Sequence, residues 1–143
     1  MKGDMYLAWS PDEELLEKAE NGGAVTALLK FTLESKRVDA VLAIKARDGN
    51  RYDGIPVLIT DPQEVIGTAG ALHCASPNIA RCLKEYLDGA SDTRIAVACK
   101  PCDAKAIIEL AKREQINLEN LLLIGLNCTG TLPSVGTRRM FED

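Results

Sequence analysis

Apolar and polar positions alternate along this chain in two rhythms, and the switches between them mark its elements. From Ala24 to Ser35, Val25, Leu28, Leu29 and Leu33 recur three and four residues apart, the period of one helix face. Val38–Ile44, Ile55–Thr60, Ile95–Cys99 and Leu121–Leu126 are instead short continuous apolar runs, several of them β-branched. Such runs predict buried strands. Directly after the third run, Ile107, Ile108, Leu110 and Ala111 return to helical spacing and predict a helix over 101–114.

Local signals add further elements. Ser10 is a candidate N-cap, with Pro11 at the first helical position and Glu13 at the capping-box position, so a helix is predicted from Pro11 to Glu20. Asn21-Gly22-Gly23 interrupts it. Asp48-Gly49 places a turn within Arg47–Asp53, Asp61-Pro62 opens a short helix capped by Asp61, and Ser76 precedes a helix over Pro77–Leu87. Tyr6–Trp9 reads as a short strand. Strands and helices therefore alternate, and the predicted class is α/β: a mainly parallel sheet with helices on both faces, in a single domain.

The chain has 143 residues, enough for one domain with its own core. Net charge is −4 and the basic residues are scattered, which argues against a nucleic-acid surface; aromatic residues are only 4%, too few for base stacking. No apolar stretch reaches membrane-spanning length, and the first residues lack the apolar centre of a secretion signal, so a cytoplasmic protein is expected. Five cysteines, Cys74, Cys82, Cys99, Cys102 and Cys128, form no spacing typical of a disulfide scaffold.

Four junctions carry the candidate chemistry. Gly22-Gly23-Ala24-Val25-Thr26 opens a helix, where free backbone N–H groups favour a phosphate and Thr26 adds a hydroxyl; a plain kink between helices is the alternative. Thr68-Ala69-Gly70-Ala71, followed by His73 and Cys74, is small enough for a flat ring or a pyrophosphate to reach the backbone, or for an ordinary tight turn. His73 is more often a surface group than a catalyst. Cys99-Lys100-Pro101-Cys102 joins a strand end to a helix start, a place that favours ligands and anions in α/β sheets. It also has the form of a dithiol motif, although Cys99 closes a buried strand, where cysteine serves as a small apolar residue. Cys128 follows a strand in Gly125-Leu126-Asn127-Cys128-Thr129-Gly130 and is a candidate metal or cluster ligand.

In this order, Gly22 to Leu28, Thr68 to Cys74, Lys100 to Ala104 and Gly125 to Pro133 resemble the beta-subunit family of coenzyme F-420 (F420) hydrogenases and dehydrogenases, and within it most the formate dehydrogenase branch of methanogens. The resemblance covers essentially the whole chain. It implies an electron-transfer flavoprotein subunit that holds FAD and a 4Fe-4S cluster. It would pass electrons from formate oxidation in a catalytic alpha subunit to F420, an 8-hydroxy-5-deazaflavin. It implies that Gly22, Gly23 and Thr26 form a first flavin-contacting loop and Thr68, Gly70 and Ala71 a second. Lys100, Pro101 and Cys102 would lie near the flavin, and Cys128 would be a cluster ligand. No side chain need act as acid or base. Members of the family are longer and carry further cysteines after the region of Cys128. On this ground the chain is expected to be an amino-terminal domain over 1–143, with 121–143 the start of a truncated carboxyl-terminal domain that a second polypeptide could complete. Two other functions stay open: a cofactor-free docking module of a redox complex, and a small thiol oxidoreductase using Cys99 and Cys102.

Overall fold

The computed structural model describes residues 6–48, 50–72, 74, 76–87 and 92–142. Its centre is a four-stranded sheet. The strands are β1 (Ala40–Arg47), β2 (Asn50–Ile59), β3 (Ile95–Cys99) and β4 (Leu121–Gly125), in the order β2-β1-β3-β4. β1 runs parallel to β3, and β3 parallel to β4, while β1 and β2 form an antiparallel hairpin in which Leu42 faces Leu58. The sheet is thus mainly parallel, with one antiparallel edge. The hairpin is tighter than the predicted turn over Arg47–Asp53: β1 runs to Arg47 and β2 begins at Asn50, across a register shift at Ala46/Arg47. Gly49 lies outside the described residues.

Strand alternation sorts the core into two layers. Ala40, Leu42, Ile95, Val97 and Cys99 face one side and pack with Ile79, Ala80 and Leu83 of the α3 region and Ile107 of α4. Here α3 spans Ala80–Leu87 and α4 Pro101–Lys112. Val41, Ala43, Ala96 and Ala98 face the other side, against Leu29 and Leu33 of α2 (Ala24–Glu34) and Val65 of a 3₁₀ turn over Glu64–Thr68. Helices on both faces explain why every residue of β3 is buried and why its sequence is a continuous apolar run.

Several boundaries differ from the sequence pattern. Tyr6–Trp9 is not a strand: the segment pairs with neither edge of the sheet and is exposed, and the residue after it is tied by the Ser10 N–H donating to the Gly22 carbonyl at 2.7 Å. The first helix, α1, is Glu13–Lys18 and is capped by Asp12, whose carboxylate accepts from the Leu15 N–H. Ser10 accepts from the Asp12 N–H and so shapes the turn before it. Asn78 accepts from the Ala80 N–H, which delays α3 to Ala80. Asp61 accepts from the Gln63 N–H, a turn that leads into 3₁₀ rather than α geometry. Helix α2 buries Thr26, Leu29, Thr32 and Leu33, whereas Leu28 is half exposed beside Phe31. A final helix, α5, covers Ser134–Glu142 and touches β2.

Candidate functional site

Parallel strands β1, β3 and β4 end on the same side of the sheet, so the loops that leave them gather there. There, Ala43 and Ile44 of β1, the loops that leave β3 and β4, the start of α2 and the loop after the 3₁₀ turn line a cavity of about 580 Å³. That size lies within the ~300–1,000 Å³ typical of small-molecule sites. Gly23, Thr26, Thr68, Gly70, Ala71, Lys100 and Cys128 all line it. Residues from four separate stretches of sequence thus meet at one place. Gly22, Pro101 and Cys102 are not in the lining. Gly22 packs against Trp9, Pro101 occupies the first turn of α4, and Cys102 is exposed there.

The amino end of α2 is built for close approach. Gly23 is its N-cap at φ +66°, a left-handed conformation that other residues adopt at a cost, and it offers no side chain to cap the helix. The N–H groups of Ala24, Val25 and Thr26 have no intrahelical acceptor by helix geometry. Thr26 is only 7% exposed yet lines the cavity. Opposite, Gly70 takes φ +100°, and Thr68 donates its hydroxyl to the Val65 carbonyl at 2.8 Å, which closes the 3₁₀ turn and sets the loop.

At the β3–α4 junction the anion favoured by the helix end is supplied by the chain itself. Asp103 is fully buried, and its carboxylate accepts from the Lys100 N–H and the Ile79 N–H, both at 2.9 Å, and from Lys100 Nζ at 2.7 Å. Lys100 Nζ also donates to the Pro77 carbonyl at 3.1 Å. Burial, reinforced by the Asp103 charge, pushes the Cys99 thiol up from its ordinary value against a smaller opposing pull from Lys100. Cys99 is therefore a packed core thiol, with Sγ 3.7 Å from the Ile124 carbonyl. Cys128 Sγ lies 3.7 Å from the Gly130 carbonyl. Among the described residues no three Cys, His, Asp or Glu side chains gather as a metal site, and His73 lies outside those residues. A 4Fe-4S cluster needs four thiolates, so the described residues do not fit one.

Residues 5–82 match the family model of the coenzyme F420 hydrogenase/dehydrogenase beta subunit, N-terminal part, and residues 92–143 match its C-terminal counterpart. The chain belongs to this family. The two matched ranges meet inside one sheet: β1 and β2 fall in the first, β3 and β4 in the second. Among the family's curated members, the F420-dependent formate dehydrogenase subunit beta of Methanocaldococcus jannaschii is 51% identical over 136 residues, 95% of this chain and 35% of the relative. The F420-dependent formate dehydrogenase 1 subunit beta of Methanococcus maripaludis is 50% identical over 142 residues, 99% of this chain and 36% of the relative. The chain thus spans about a third of the length of these relatives. A chain from the structure of the F420-reducing NiFe hydrogenase complex of Methanosarcina barkeri superposes with a TM-score of 0.76 at 24% identity, over 94% of this chain and 47% of that one; the likeness is one of fold.

The family's beta-subunit fold also frames what the sequence motifs missed. Asn21, Leu72, Ser76, Asn127, Thr129 and Gly130 line the cavity as well. Their signal was adjacency to the glycine and cysteine junctions. Asp103 gave no such signal, because a carboxylate three residues into a helix reads as an ordinary favourable charge at its amino end. No helix among the described residues is long and apolar enough to cross a membrane.

Proposed function

We propose that the cavity holds FAD and that the chain forms part of an F420-linked electron-transfer subunit of a formate dehydrogenase, acting in the cytoplasm beside a formate-oxidising alpha subunit. The observation that supports this most is the convergence of all four family junctions on one cavity at the strand ends. The uncapped N–H groups of Ala24, Val25 and Thr26, with the Thr26 hydroxyl, suit a pyrophosphate. Gly70 and Ala71 leave room for a flat ring to approach the backbone, and Lys100 presents an ammonium to an anionic ligand group. When bound, a flavin exchanges single electrons with a metal centre and a hydride with a deazaflavin. The chain's own residues bind and orient it and keep water away; none is assigned a proton. Among the described residues Cys128 is the one thiol lining the cavity, and a cluster here would draw its remaining thiolates from elsewhere. Burial of Cys99 weighs against the dithiol alternative, since a raised thiol pKa lowers its reactivity at neutral pH.

The test is the visible spectrum of the protein expressed without oxygen, with acid-released cofactor identified by chromatography. Stoichiometric FAD, lost in Thr26→Val and Gly70→Val variants that still fold, is the expected result. A colourless protein that takes up no FAD, alone or with the remainder of the relatives' length supplied, would overturn it and leave the docking-module function.

A further inference from the structure

Lys100 and Asp103 are three residues apart, yet they join two junctions distant in sequence. Asp103 is 0% exposed and receives three donors: the Lys100 N–H, the Ile79 N–H and the Lys100 ammonium. The same ammonium reaches the Pro77 carbonyl, in the loop that leads to α3. An ammonium has three donors. Two are spoken for by these contacts, and the Lys100 side chain, 13% exposed, lines the cavity. A buried charge pair is a poor source of stability, because desolvation offsets the attraction. Holding a donor in one place is what such a pair does well. We infer that Asp103 is a positioning residue whose buried carboxylate holds the Lys100 ammonium so that its third N–H meets an anionic group of the cavity's ligand.

This inference rests on the FAD assignment for the identity of that group, which is either a phosphate oxygen or the electron-rich edge of the flavin ring. The two are separable with ligands of different charge. If Lys100 meets a phosphate, Lys100→Met weakens FAD and FMN and leaves riboflavin unchanged; if it meets the ring, all three weaken.

The test titrates the full chain with FAD, FMN and riboflavin by fluorescence quenching, in the native protein, Asp103→Asn, Lys100→Met and the double variant. In parallel, lysines are labelled with an amine reagent in the absence of flavin and quantified by mass spectrometry. FAD binding is expected to weaken about tenfold in each single variant, and no further in the double one, because both changes remove the same contact. Labelling of Lys100 is expected to rise severalfold in Asp103→Asn, with the other lysines unchanged. Losses that multiply in the double variant, or unchanged labelling of Lys100, would show that Asp103 only caps α4. If the native chain binds no flavin, the FAD assignment fails by itself, and the labelling still decides whether Asp103 holds Lys100. Should Asp103→Asn not fold, Asp103→Glu keeps the charge but displaces it by one methylene. The same rise in labelling and loss of binding are then expected, and native-like values for both would overturn the inference.

Discussion

Single residues at the cavity are constrained by backbone shape more than by chemistry. Gly23 sits at φ +66°, and a Cβ there would run into the buried Leu15 side chain. Gly23→Ala is therefore expected to lose at least ~1–2 kcal/mol, the cost of a left-handed residue with a side chain, read from urea denaturation; an unchanged midpoint would remove the close packing assigned to this corner. Thiol chemistry divides by burial in the same way. Cys102 is exposed and Cys99 is buried with a raised pKa. Brief alkylation at neutral pH should modify Cys102 and spare Cys99 until the protein unfolds, as mapped by mass spectrometry. Equal modification of both would revive the dithiol function. Asp39 shows how an exposed pair behaves. The Arg94 guanidinium and backbone N–H hold its carboxyl down at about 2, below the ordinary 3.8. Its folded-state pKa is depressed, so its contribution is complete above 3.8 and is lost as pH falls towards about 2. Asp39→Asn should differ from the native protein near neutral pH and converge with it at the acid end of a stability profile. The pair is solvent-exposed, so the difference is expected to be small.

Elements place the site because each strand carries two different faces. β3 is the clearest case: Ile95, Val97 and Cys99 pack towards α4 while Ala96 and Ala98 pack towards α2. The small residues on the α2 side bring that helix close, and Ala98 reaches the cavity wall. Ile107 is fully buried on the opposite layer, so Ile107→Ala is expected to cost about 2–5 kcal/mol while leaving the cavity side intact. Flavin affinity measured below the melting range of that variant should stay native-like; a parallel loss would mean the two layers are coupled. The helix starts that differ from the sequence pattern share a physical reason. Short polar side chains made local turns instead of helix caps: Ser10 to Asp12, Asp61 to Gln63 and Asn78 to Ala80. A Ser, Asp or Asn before an apolar run satisfies either geometry, and the sequence pattern does not distinguish them. The strand expected at Tyr6–Trp9 did not form for another reason: a short apolar run does not say whether a segment will pair with a sheet, and this one stays exposed.

Across the whole molecule, the candidate site depends on pieces far apart in the chain meeting at one end of the sheet. The sequence alone determined the α/β class, the four strands and the main helices, because buried strands and amphipathic helices leave different apolar periods. It also held the four junction motifs, and with them the family, because glycine, proline and cysteine mark backbone and chemical requirements that few other residues meet. Seven residues that the family resemblance named, Gly23, Thr26, Thr68, Gly70, Ala71, Lys100 and Cys128, line one cavity, a convergence that no spacing along the chain shows. Tertiary structure decided the rest. The antiparallel pairing of β1 with β2 follows from a tight connection between them, where a parallel partner needs a long crossover. Gly22, Pro101 and Cys102 sit beside lining residues in sequence yet outside the cavity, because a turn sends neighbouring positions to different surfaces. Asp103 and Lys100 found their partners more than twenty positions away, the Ile79 N–H on the Asp103 carboxylate and the Pro77 carbonyl on the Lys100 ammonium, brought there by the packing of α3 beside α4. Local periodicity reports what each segment buries; which buried group a carboxylate finds there is set by contacts between segments.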